Sequence, residues 1–142
     1  MADYENAPVS HWRVEGMPAF LQSVAGISSS TPVEGTAHQD EQGNPIRPKW
    51  WSRATSYGDI TLQRLLDTDG AWREWRQQVI DGDKAAKRDI TIVAMSAEGD
   101  DLLTINCVGA FPINHLWSGM DSGSDAQAHE AITVSVDSLT FT

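Results

Sequence analysis

The residue types able to carry chemistry in this chain are four histidines, one cysteine and twenty carboxylates, so their spacing decides which chemistry is open. His11, His38, His115 and His129 are widely separated, and none has a Cys, Asp or Glu at a recognised ligand spacing. They read as surface or packing histidines. Asp67-Thr68-Asp69-Gly70 has the look of the middle of a calcium loop. Its first ligand position would be Leu65 and its twelfth Arg76, so the pattern fails where negative charge is required. Helix capping is the expected role of that stretch. Cys107 lies inside an apolar run, which suits a small buried side chain better than a nucleophile. No glycine-rich loop joins a strand to a helix in the manner of a phosphate cradle, and no pair of carboxylates has an identifiable acid–base partner. No catalytic residue, metal ligand or cofactor is expected.

The six tryptophans are the more informative group. Trp72 and Trp75, flanked by Arg73 and Arg76, could suggest stacking on nucleic-acid bases. Their helical spacing favours core packing, and a net charge of -10 argues against affinity built on phosphate neutralisation. Trp50 and Trp51 are consecutive, so in an extended segment they point to opposite faces, one free to pack on the domain while the other meets a partner. The competing reading is a pair of half-buried loop aromatics.

At 142 residues the chain is long enough for one domain with a genuine core, and a lone cysteine leaves the fold independent of disulfides. The N-terminus is acidic and polar, unlike a signal peptide, and no apolar run is long enough to span a membrane. Synthesis in the cytoplasm is expected, without stable membrane anchoring. Residues 1–10 read as a flexible arm and 11–142 as a single domain. Residues 11–15 and 19–27 alternate as two strands of an opening hairpin, and 28–57 form a long polar inter-strand loop or hairpin. Residues 59–66 form a half-buried strand with Ile60 and Leu62 on one face and Thr61 and Gln63 on the other. A short helix follows, capped by Thr68 or Asp69 and stopped by Gly82, with Trp72, Trp75 and Val79 on its apolar stripe. Residues 88–97 and 102–108 form a second hairpin, Gly109-Ala110-Phe111-Pro112 breaks it, and 130–141 close the chain as a strand. The expected class is mainly β with one α-helix (α+β), with about six strands.

The order of these elements resembles the inner tail-tube protein family of contractile-tailed phages and contractile injection systems, related to the tube protein of type VI secretion. The matching features are His11-Trp12-Arg13-Val14-Glu15-Gly16 leading to Phe20 and Val24-Ala25-Gly26-Ile27, the run Tyr57 to Arg64, and the helix with Trp72 and Trp75. Lys87-Arg88-Asp89-Ile90-Thr91-Ile92, Gly109-Ala110-Phe111-Pro112 and the final strand Glu130 to Phe141 complete the set.

The resemblance implies two packed sheets forming a partly closed barrel or sandwich, whose copies join into a six-fold ring around a channel. Rings stack into a rigid tube that a contracting sheath drives through a target envelope. It implies as partners further copies of the chain, a sheath protein, baseplate and tube-terminating proteins, and cargo effectors or DNA in the channel. Thr61, Gln63, Thr133, Ser135 and Asp137 are then candidates for the lumen, and Asn44, Pro45, Trp50, Trp51 and Arg53 for contacts between subunits or rings. Phe20, Trp72, Trp75 and Phe111 are expected in the core, with Arg73, Gln77 and Asp81 turned outward. Such a particle stays in the cytoplasm or leaves by lysis. The rival expectation is a small carbohydrate-binding β-sandwich whose exposed tryptophans stack on sugar rings.

Overall fold

A computed structural model describes residues 11–15, 19–35, 38–120, 122 and 127–142, without the side chains of residues 19, 20 and 38. The expected arm over residues 1–10 therefore lies outside the described residues, as does the side chain of Phe20.

The chain opens with β1 (His11–Glu15) and β2 (Ala19–Leu21), paired antiparallel. The strand expected over 19–27 does not run on. It bends at Gln22, whose backbone N–H donates to Gln63 O at 2.7 Å, and resumes as β3 (Ser23–Ala25) beside a different partner. Next come β4 (Ser29–Ser30), β5 (Val33–Gly35), β6 (His38–Gln39), β7 (Pro45–Ile46), β8 (Lys49–Trp51) and β9 (Ser56–Tyr57). These six fold on themselves as β4 with β9, β5 with β8 and β6 with β7, one long antiparallel arm. The ladder segments are two or three residues each, too short to leave a period-2 signature in the sequence.

Strand β10 (Ile60–Leu65) alternates as expected, with Ile60, Leu62 and Arg64 buried. Helix α1 (Ala71–Ile80) follows, and its stripe of Trp72 and Trp75 is fully buried, with Val79 packed against the core. Its N-cap is Gly70, which makes no side-chain cap; Asp69 Oδ1 instead accepts from Ala71 N at 3.0 Å, one residue short of the usual capping reach. Beyond a single 3-10 turn at Lys84–Ala86 lie β11 (Arg88–Met95) and β12 (Asp101–Ser118).

Gly109 to Pro112 do not break β12; they turn it. Gly109 takes φ 66°, a left-handed conformation that glycine adopts without a steric cost, and a Cβ there would run into the Asp137 carboxylate. Before this corner β12 pairs with β11 and with β14 (Ser138–Phe141); after it, β12 pairs with β13 (His129–Ser135). The closing strand expected over 130–141 is likewise two strands, parted where Asp137 N donates to Val108 O at 2.8 Å. Thus β12 belongs to two sheets, β2-β1-β11-β12 with β14, and β12-β13-β10-β3. Fourteen strands are present among the described residues, well above the expected six, because corners split two strands and the arm adds six short ones.

One core joins the elements, with Val14, Ile92, Ile105 and Leu139 from the first sheet and Ile60, Leu62, Ile132 and Val134 from the second around the two helix tryptophans. Phe111, expected in that core, is half-buried at the corner. Cys107 is fully buried, and burial pushes its thiol up to about 11, so at neutral pH it is a protonated packing group.

Candidate functional site

The second sheet has one apolar and one polar face because its strands alternate. Ile60, Leu62, Ile132 and Val134 point to the core. The opposite face carries Thr61 between Ala25 and Thr133, Gln63 between Ser23 and Ala131, and Ser135 opposite Phe111. Thr61 and Thr133 hydroxyls meet at 3.3 Å, and Gln63 Nε2 donates to Gln22 Oε1 at 3.3 Å. Four of the five lumen candidates therefore share one surface of small polar side chains. Asp137 stands apart at the Gly109 corner, where its carboxylate pairs with Lys87 Nζ at 2.8 Å.

Both sides of this sheet end in strands with a single ladder. Among the described residues β3 pairs only with β10, and β12 from Phe111 to Ser118 pairs only with β13. Unpaired N–H and C=O groups along two such edges are a template for strand addition. At one end, through the Leu65–His129–Ser118 register, Leu65 and Leu116 are exposed on the face that carries Gln63, and Trp117 is exposed on the opposite face, which carries Arg64 and Glu130.

The arm is exposed along nearly its whole length. Trp50 and Trp51 are 64% and 73% exposed, opposite Glu34 and Val33 of β5. The expectation that one of the two would pack on its own domain is not met, because only the base of the arm, at Tyr57, packs against the core, and β8 lies beyond it with both tryptophans exposed. Asn44 is engaged at the tip, where Asp40 Oδ1 accepts from Gln42 N and Asn44 N at 2.9 and 2.8 Å and the Asn44 amide reaches Asp40 Oδ2 at 3.3 Å. These donors hold the Asp40 carboxyl below its ordinary value, the Asn44 backbone contributing most. Pro45 pairs with Gln39 beside this turn, and Arg53 is exposed near the arm's base.

A buried polar cluster lies between the second sheet and the helix. Arg64 Nε and Nη2 both reach Glu130 Oε1 at 2.9 Å, Nη2 donates to Asp69 O at 2.6 Å, and the guanidinium sits 4.8 Å over the Trp72 ring. The two charged side chains are 3% and 4% exposed. His115 Nε2 lies 3.3 Å from Glu130 Oε2 without the alignment of a hydrogen bond, and its ring stacks on Trp117 at 3.9 Å. The signal for this pair was present in the strand alternation: Arg64 continues the Ile60, Leu62 face, and Glu130 the Ile132, Val134 face.

Burial holds the His115 imidazole below its ordinary value, outweighing the upward pull of Glu130. A histidine depressed in the folded state stabilises fully above its unfolded value of about 6.5, and the contribution is lost as pH falls from there toward the folded value. The unfolding free energy of the wild type from urea titrations should fall over that range by at most about 1.4 kcal/mol per pH unit, and His115→Gln should flatten that part of the profile. An unchanged acid slope in the variant would assign it to other groups.

Residues 9–140 match the family of the T4-like virus tail tube protein gp19. The chain belongs to this tail tube family. The family is a structural one, and the match gives no support to a carbohydrate-binding module. Solved structures share the tail tube fold. A chain from the sheath/tube terminator of an extracellular contractile injection system, PVC, in its extended state has a TM-score of 0.72 at 24% identity, covering 99% of each chain. One from the PVC sheath-tube complex gives 0.71 at 24%, covering 96% of this chain and 91% of that one. One from the tube-terminating cap of the anti-feeding prophage gives 0.71 at 22%, covering 100% and 94%. No curated protein matches the chain. Among the described residues no helix is long and apolar enough to cross a membrane.

Proposed function

We propose that this chain is the repeating structural subunit of the inner tube of a contractile injection system or contractile tail. The observation that carries the proposal is the second sheet, with a small polar face between two single-ladder edges. Six copies joined edge to edge through β3 and the 111–118 stretch of β12 form a closed barrel, which removes the exposed edges and turns Thr61, Gln63, Thr133 and Ser135 toward a water-filled channel. Asp137 belongs to the corner that aims β12 into that barrel. Head-to-tail stacking of such rings does not close, so it propagates as a tube.

The arm supplies the stacking contact. A two-stranded hairpin with an exposed surface is at best marginally stable in water, so Trp50, Trp51, Arg53 and the Asn44-Pro45 tip gain their packing from a neighbouring subunit. Partners in this reading are further copies of the chain, a sheath around the tube, a baseplate and a terminator at its two ends, and cargo or DNA within. The tube works mechanically when the sheath contracts, and requires no catalytic residue or cofactor. The particle is built in the bacterial cytoplasm and stays there or leaves by lysis.

Negative-stain microscopy of purified protein tests the assembly directly; monomers alone at high concentration, with and without sheath and baseplate partners, would overturn it. In the double variant Trp50→Ala/Trp51→Ala the subunit should keep its fold by circular dichroism. The concentration needed for tubes should rise by roughly thirtyfold, on the order of 2 kcal/mol in all for the lost aromatic contact. Tubes of unchanged length distribution at unchanged concentration would remove the arm from the stacking interface.

A further inference from the structure

Resting on that reading, we propose that the indole of Trp50 from one subunit seats in a cavity beneath the C-terminal end of α1 in a neighbouring subunit. The cavity measures about 240 Å³ and is lined by Val79, Ala86 and Phe111, with Asp83, Lys84 and Lys87 about its mouth. It is smaller than the roughly 300–1,000 Å³ of sites that enclose a whole small molecule, and its walls are apolar, so it fits a single large side chain. Tryptophan is the residue most suited to such a pocket, since its rigid rings supply a large contact area and its N–H can stay at the wet rim.

Charge selects Trp50 over Trp51. Trp50 stands opposite the exposed Glu34 in the β5–β8 ladder, whereas Trp51 stands opposite Val33. Of the charged groups at the mouth, Lys87 is paired with Asp137 at 2.8 Å, and the Asp83 carboxylate accepts from Ala85 N at 3.0 Å. Lys84 is exposed, and its ammonium is the group that meets Glu34 when the indole is seated. Trp51 and Val33 then form the apolar back of the arm, turned away from the cavity.

The test mixes two single variants, Trp50→Cys and Val79→Cys, and oxidises the assembled tubes. Cross-linked dimers should form in the mixture and not with either variant alone. Lys84→Glu reads the same contact without touching the tryptophan. It should raise the concentration needed for tubes at least tenfold at low salt, and Glu34→Lys in the same chain should restore most of that loss. Wild-type tubes that form normally but show neither the cross-link nor the charge rescue overturn the cavity assignment and leave the tube reading standing. Cross-linking through Trp51→Cys in place of Trp50→Cys overturns it as well. Absence of any wild-type assembly removes both.

Discussion

Replacing Glu130 with alanine is expected to destabilise the subunit by about 3–5 kcal/mol, because it leaves the Arg64 guanidinium buried without its counter-charge. Arg64 is 2% exposed and makes two contacts of 2.9 Å to a single carboxylate oxygen, so no rearrangement short of opening the sheet returns it to water. The remaining carboxylates near it, Asp67 and Asp69, pair with it at 3.7 Å but are 61% and 28% exposed, so solvent screening leaves them only partial compensation. For a domain of this size the loss corresponds to roughly 10–20 °C in Tm by calorimetry. Converting the pair together, as Arg64→Met/Glu130→Leu, should recover much of the loss, since an apolar pair needs no desolvated charges. A Glu130→Ala variant that melts within a degree or two of wild type would show that the cluster is hydrated.

Replacing Trp75 with alanine is the second large effect, about 3–5 kcal/mol. Its ring is 1% exposed, its Nε1 donates to Ala86 O at 2.6 Å, and Arg88 stacks on it at 4.8 Å. Removal empties the centre of the helix–sheet contact and strips the carbonyl that begins β11's approach of its donor. Trp75→Phe keeps most of the volume and loses the hydrogen bond, so it should cost less than half as much. Chemical denaturation of the two variants side by side separates packing from hydrogen bonding. Equal losses would mean that the hydrogen bond dominates. The lesson for assembly is a contrast: Trp50 and Trp51, though of the same residue type, should leave subunit stability nearly unchanged.

Alternation in β10 and β13, the helix with its buried tryptophans and the turn between β11 and β12 were legible in the sequence because each depends on contacts within one element or across one turn. The tail tube family was legible for the same reason, since six local features in order survive without any knowledge of their packing. The face shared by Thr61, Gln63, Thr133 and Ser135 followed from parity alone. That Asp137 leaves this face did not, because it depends on a corner at Gly109 made by a residue nearly thirty positions earlier.

What the sequence determined by itself was therefore periodicity, charge and element order, the quantities that local stereochemistry and composition control. Tertiary structure decided where strands change partners, since β2 and β3, the halves of β12, and β13 and β14 are each continuous in sequence yet pair with different neighbours. It also decided that Arg64 and Glu130 meet 66 residues apart. Alternation within each strand put either charge on its buried face, but not which partner it would meet there, because only the register of β10 against β13 brings the two to one place. The two exposed tryptophans are the counterpart: their types suggested contact, and only the tertiary structure shows that both stand exposed on an arm rather than packed on their own domain, which is the basis of the stacking role proposed above.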